Sequence, residues 1–306
     1  MGTPDFASNV LKKLIENKYE IALVVTQPDR PVGRKKELFP TPVKKCAMEH
    51  NIPVFQPEKI RADHKQILDI NPDLIITAAY GQLIPKVLLD APRLGCINVH
   101  ASLLPKYRGG APIHQAIIDG EPETGVTIMY MDVAMDTGDI ISQASIAIND
   151  DDDVGSMFVK LSNIGGGLLI DTLPSIIGGT NDRIAQNEVE ATYAYNIKRE
   201  QELIAWELPA RVIFNQIRGL NPWPTAYTVI DGQNVKIFSS NLTGATTTTK
   251  AGTIIKVDAN GIDVATGDNN VLRLLEIQLA GKKRMPIKDL LNAKTNPFIV
   301  GSKFGG

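Results

Sequence analysis

Residues 94–110 read LGCINVHASLLPKYRGG. Residues 95–99 form a short apolar run, and the chain leaves it through Asn98 and His100. A turn containing Leu103-Leu104-Pro105 follows, and Arg108-Gly109-Gly110 leads into a new helix. Side chains alternate along a strand, so an amide and an imidazole two residues apart point the same way. At the carboxyl end of a parallel strand, that pair would stand where open α/β sheets bind ligands. The structural alternative is that Asn98 caps a turn and His100 packs beneath it.

Strands and helices alternate on both sides of this stretch. An amphipathic helix carries Val10, Leu11, Leu14 and Ile15, and residues 21–26 are rich in β-formers. Residues 27–42 hold four prolines and no periodicity, so they read as a long loop of a kind that is usually functional or disordered. Helices at 43–50 and 65–70 alternate with strands at 53–55 and 74–79, the last a continuous apolar run suited to a buried parallel sheet. A helix at 113–118 and strands at 126–131 and 140–148 complete the pattern of a doubly wound α/β sheet. The acidic cluster that runs from Asn149 to Asp153 suits the positive end of the helix expected at 154–173, and Gly165-Gly166-Gly167 inside that helix suits close packing.

From residue 226 the texture changes. Short alternating runs at 227–230, 235–238, 252–257, 262–265 and 271–277 are separated by turn signals such as Asp231-Gly232. Five short strands fit a small antiparallel barrel of OB type, with Lys282-Lys283-Arg284 after the last.

The chain has 306 residues, 43% of them hydrophobic and 22% charged, enough for two domains with real cores. No apolar run approaches the roughly 18 residues of a membrane span. Cys46 and Cys96 are the only cysteines, which fits a reducing cytoplasm better than a disulfide framework. The net charge of −2 conceals an asymmetry. Residues 1–194 carry 18 Lys+Arg against 25 Asp+Glu, a balance of −7, and the remainder carry 14 against 9, a balance of +5. A basic second half points to a polyanionic partner such as nucleic acid.

Several chemistries have no signature here. The sequence holds no P-loop, no complete G-x-G-x-x-G, no G-x-S-x-G elbow and no zinc-ligand spacing among its four histidines and two cysteines. What remains is an amide, an imidazole and a later carboxylate. Asn98 can donate to a developing oxyanion, His100 can move a proton near neutral pH, and Asp136 can orient the imidazole. That set suits acyl-type transfer to an amine with neither a metal nor a covalent intermediate.

The string from Asn98 through Gly109, with Met131-Asp132 and Asp136-Thr137-Gly138-Asp139, resembles the signature of the 10-formyltetrahydrofolate-dependent formyltransferases. Within them the chain is most similar to the methionyl-tRNA formyltransferase group. Gly2-Thr3-Pro4-Asp5-Phe6, Gly33-Arg34, Ala79-Tyr80-Gly81-Gln82 and Arg218-Gly219-Leu220-Asn221-Pro222-Trp223-Pro224 extend the likeness over nearly the whole chain. The resemblance implies 10-formyltetrahydrofolate as formyl donor, initiator methionyl-tRNA as acceptor, no metal, and a monomer. It implies catalysis by Asn98, His100 and Asp136, and a folate pocket lined by Ser102, Leu103, Leu104 and Pro105. Arg34, Lys35 and Lys36 would reach the acceptor end of the tRNA, and Lys282 and Lys283 would help the basic barrel hold it. It further implies a catalytic domain at 1–177, a linker at 178–200 and an OB-like tRNA-binding domain at 201–306. In that family a short strand precedes the Gly2–Phe6 turn, so the first strand is expected to be missing and the start to lie one internal Met too late. A formyltransferase for a small amine, such as glycinamide ribonucleotide or an amino-sugar nucleotide, would carry the same catalytic residues. The basic loop and basic second half favour tRNA.

Overall fold

The first helix, α1 (Asp5–Glu16), buries Phe6, Val10, Leu11 and Leu14, which recur at the spacing of one helical face. It ends where the Asn17 N–H returns to Lys13 O and Lys18 turns into left-handed conformation. This computed structural model describes residues 1–32, 37–291 and 297–305. After α1 comes β1 (Val24–Val25), and then β2 (Arg30–Val32) and β3 (Glu37–Phe39). These last two pair antiparallel with Arg30 opposite Phe39, so the stretch expected to be structureless contains a hairpin. Pro31 is tolerated there because a two-stranded ribbon leaves half its N–H groups outside any ladder. Helix α2 (Pro42–Glu49) starts on Thr41, whose hydroxyl accepts the Lys44 N–H at 3.1 Å, with Pro42 in the first turn.

Strand β4 (Val54–Phe55) pairs parallel with β1. Helix α3 (Lys65–Ile70) leads to β5 (Ile75–Thr77), and α4 (Lys86–Leu89) to β6 (Cys96–His100). Helix α5 (Pro112–Asp119) then precedes β7 (Glu123–Tyr130) and β8 (Ile140–Ala147), giving a sheet of order β5-β6-β7-β8. The β5–β6 pair is parallel, as a doubly wound sheet requires, while β6–β7 and β7–β8 are antiparallel. Only nine residues separate Tyr130 from Ile140, too few for the crossover that a parallel pair would need.

Gly2 links β1 to β5: its N–H donates to Val25 O at 3.0 Å and its backbone bridges to Ala78. Beside it lies a cavity of about 500 Å³ lined by apolar side chains including Val10, Leu14, Val24, Ile75 and Leu173. The Met1 nitrogen donates to Ile76 O at 2.6 Å.

Helix α6 (Val154–Gly178) begins on a reciprocal cap, in which Asp153 Oδ1 accepts the Ser156 N–H and Ser156 Oγ accepts the Asp153 N–H. It runs past the end expected at residue 173, through Pro174, and thereby buries Ile176. A Cβ on Gly165 would meet Val99 Cγ1 at 3.0 Å and Val126 Cγ1 at 3.3 Å, so α6 presses directly on β6 and β7.

The described chain divides into two compact units. One comprises Met1–Pro112, Glu123–Ala147 and Phe158–Tyr195, and the other Ile113–Pro122, Ile148–Met157 and the residues from Asn196 onward. The second unit holds α7 (Ala210–Gly219) and an antiparallel sheet of β9 (Ala226–Ile230), β10 (Gln233–Thr246), β11 (Ile254–Asp258), β12 (Gly261–Ala265), β13 (Asn270–Leu279) and β14 (Met285–Pro286). Asp231 and Gly232 both take positive φ between β9 and β10, the two-residue turn that the Asp-Gly pair announces. Register shifts bend the long β10 against β13 over a core including Trp206, Ile237, Ile262 and Leu274. Helix α8 (Ile287–Leu290) adds Ile287 and Leu290 to that core.

Gly165→Val should cost about 1–3 kcal/mol through overpacking, read as a lower urea midpoint. An unchanged midpoint would mean that α6 does not bear on β6.

Candidate active site

Strand β6 delivers the two polar residues singled out in the sequence. Cys96, Ile97 and Val99 are buried, Asn98 is half-buried, and His100 ends the strand at 6% exposure. In register with Asn98 on β5 stands Thr77, whose Oγ1 donates to Asn98 Oδ1 at 2.8 Å. That bond fixes the amide with its oxygen inward. Among the described residues Asn98 Nδ2 has no acceptor, so a hydrogen-bond donor faces the open side.

His100 Nε2 lies 3.0 Å from Tyr107 O. A carbonyl can only accept, so Nε2 carries a proton, and in the neutral ring Nδ1 is then the lone-pair nitrogen. Nδ1 is 3.8 Å from Asp136 Oδ2. The same carboxylate oxygen accepts the Gly109 N–H at 2.8 Å. Two loops therefore make the site: residues 101–111 supply Tyr107 and Gly109, and residues 131–139 supply Asp136. Both are held in unusual backbone, with Tyr107 at φ 60, Gly109 at φ 120 and Asp136 at φ 55.

The first loop is fastened from within. Ser102 Oγ donates to Lys106 O at 2.7 Å, and Thr127 Oγ1 donates to Ser102 O and accepts the Leu104 N–H. Ser102 and Leu104 are buried, and Leu103 and Pro105 are half-buried. Of the four residues assigned to a ligand pocket, Ser102 and Leu104 thus shape the turn from the inside, while Leu103 and Pro105 retain some surface.

Residues 181–195 fasten the loop from outside. The Tyr107 N–H donates to Thr192 Oγ1 at 2.9 Å, the Arg108 N–H donates to Thr192 O at 2.8 Å, and Arg108 O accepts the Ala194 N–H at 2.7 Å. Gln186 Nε2 donates to Asp136 O and to Gly138 O, both at 2.8 Å. Thr77, Tyr107, Gly109 and Gln186 were not expected from sequence. A threonine in an apolar strand reads as core, and backbone donors and acceptors carry no sequence signal.

Of the basic residues assigned to tRNA, Arg34, Lys35 and Lys36 lie outside the described residues. Lys282 and Lys283 are exposed in the turn after β13.

An outward amide donor and an imidazole with a lone pair beside a carboxylate can polarise a carbonyl and accept a proton, the needs of acyl-group transfer. The comparisons agree with that class. Residues 1–173 match the family model described as formyl transferase, and residues 196–295 the one described as formyl transferase, C-terminal domain. A methionyl-tRNA formyltransferase from Staphylococcus aureus (strain bovine RF122 / ET3-1) is 54% identical over 305 residues, 99% of this chain and 97% of that protein. Among solved structures, a sugar 3N-formyl transferase in the presence of dTDP and 5-N-formyl-THF superposes with TM-score 0.66 at 21% identity, over 92% of this chain and 97% of its own. A methionyl-tRNA formyltransferase from Clostridium thermocellum does so with TM-score 0.54 at 19% identity, over 78% and 90%. The chain belongs to the methionyl-tRNA formyltransferase family.

A Cβ on Gly109 would sit 2.6 Å from Ala194 O in a backbone region that suits glycine. Gly109→Ala should therefore destabilise the protein by about 1–3 kcal/mol, seen as a thermal midpoint several degrees lower. A midpoint equal to that of the native protein would contradict this packing.

Proposed function

We propose that this protein transfers the formyl group of 10-formyltetrahydrofolate to the free amino group of methionyl-initiator tRNA, preparing it for translation initiation. The observation that carries this reading is the 54% identity to a methionyl-tRNA formyltransferase across both matched domains. The arrangement of Asn98, His100 and Asp136 supports it chemically.

The folate supplies a formyl group whose carbon is attacked by the amine. Asn98 Nδ2 donates to the formyl oxygen as negative charge develops there, with the amide held in that orientation by Thr77. His100 Nδ1 takes the proton that the amine gives up when the new C–N bond forms. Asp136, 3.8 Å away, stabilises the resulting imidazolium. As the bond from the formyl carbon to the folate nitrogen breaks, that proton returns to the leaving nitrogen, and the imidazole is neutral again. The buried setting of His100 keeps water away from the transfer.

Leu103 and Pro105, with Ser102 and Leu104 shaping the turn behind them, form the wall for the folate. Lys282, Lys283 and the +5 balance of residues 195–306 favour a phosphate backbone as partner, and contacts of that kind position a substrate rather than specify it. Arg34, Lys35 and Lys36, which lie outside the described residues, are proposed as further contacts to the tRNA. The reading includes a monomer working in the cytoplasm. Among the described residues no helix is long and apolar enough to cross a membrane.

The test is a formyl-transfer assay with 10-formyltetrahydrofolate and three acceptors: charged initiator tRNA, charged elongator tRNA and a small amine such as glycinamide ribonucleotide. Preference for the initiator is expected, and preference for the small amine would replace this reading. His100→Ala should lower kcat about 10²–10⁴-fold, and activity within a few-fold of native would remove His100 from proton transfer. Asn98→Ala should lower kcat roughly 10²–10³-fold, whereas an effect confined to the folate KM would make Asn98 a binding residue.

A further inference from the structure

Arg108 is a charged side chain with no exposed surface, and the mechanism above does not use it. Its Nε and Nη2 donate to Gln186 Oε1 at 3.0 and 2.9 Å, and its Nη1 and Nη2 fork onto the two oxygens of Glu188 at 2.9 and 2.7 Å. Gln186 is thereby oriented. With its oxygen committed to a cation, its Nε2 is turned toward the catalytic loop, where it donates to Asp136 O and Gly138 O. A guanidinium on one face of an amide also polarises it, strengthening the bonds on the other face.

We propose that Gln186 is a positioning residue for the Asp136 carboxylate, held in that role by the buried Arg108. Asp136 has a left-handed backbone that a non-glycine residue keeps only where its surroundings hold it. Gln186 grips the Asp136 carbonyl and the Gly138 carbonyl two residues on, which brackets the loop on the far side of the strained residue. The Gly109 N–H, next to Arg108 in the chain, holds the carboxylate itself. Arg108 therefore ties both ends of Asp136 to one point: its backbone neighbour holds the side chain, and its side chain, through Gln186, holds the main chain. The segment at 181–195 is in this view part of the catalytic apparatus rather than a spacer. This inference rests on the reading of Asp136 as the partner of His100.

The experiment measures kcat and both KM values for Gln186→Ala, Gln186→Glu, Asp136→Asn and the double variant Gln186→Ala/Asp136→Asn, with thermal midpoints for each. Gln186→Ala is expected to lower kcat roughly 10–100-fold, the scale of a misplacement of about 1 Å, with both KM values nearly unchanged. Gln186→Glu keeps the acceptor for Arg108 but replaces the two donors by an oxygen facing two carbonyls, so it should lose at least as much kcat as Gln186→Ala. In the Asp136→Asn background Gln186→Ala should cost almost nothing further, because it acts through the carboxylate already removed. An equal fold-loss in both backgrounds, or a native kcat for Gln186→Glu, would overturn the proposal. Near-native activity of Asp136→Asn alone would instead overturn the assignment of Asp136 on which it rests.

Discussion

Gly109 donates its backbone N–H to Asp136 Oδ2 at 2.8 Å, and that bond joins two loops through residues 27 positions apart in the chain. Without it the carboxylate would have no fixed place relative to the imidazole. The bond depends in turn on Gly109 standing at φ 120, close against the Ala194 carbonyl, where a side chain has no room. On the other side of the imidazole, Tyr107 O sets the proton on Nε2. One turn of chain, Tyr107 to Gly109, thus decides both the tautomer of the base and the seat of its carboxylate.

A turn that controls so much must itself be rigid, and the structure fixes it by burying polar groups that are then satisfied. A guanidinium taken wholly out of water carries a penalty of several kcal/mol unless its donors are paired. Gln186 and Glu188 receive all three of the Arg108 nitrogens, so residues 181–195 cannot leave without stranding a buried charge. The Glu188 carboxylate is itself held below its ordinary pKa by the hydrogen bonds from Arg108. On the inner side Thr127 and Ser102 perform the equivalent task with neutral groups. The site therefore sits between a strand end and a strap, each contributing hydrogen bonds rather than apolar packing.

Much of this was legible in the sequence where a physical period marks it. The alternation along β6 put Asn98 and His100 on one face, and the Asp231-Gly232 pair placed the turn between β9 and β10. The short connection between β7 and β8 drew attention to Asp136. Other features left no mark. The β2–β3 hairpin hides behind prolines, and α6 passes through Pro174 because burying Ile176 outweighs one lost backbone hydrogen bond. Gln186 lies in a polar stretch without periodicity, fifty residues beyond the loop it grips. Its partners are main-chain carbonyls, which any sequence provides. Tertiary contacts of this kind become visible only when the chain is folded.

The central claim is that His100 and Asp136 act as one unit, set by the bond from Gly109. The most direct measurement is a double-mutant cycle in kcat under saturating substrates, comparing His100→Ala, Asp136→Asn and the pair. If they form one unit, the double variant should be about as slow as the more damaged single variant, because either change alone disables the pair. If the two losses multiply, the residues act independently and the geometry around Gly109 does not serve catalysis in the way described.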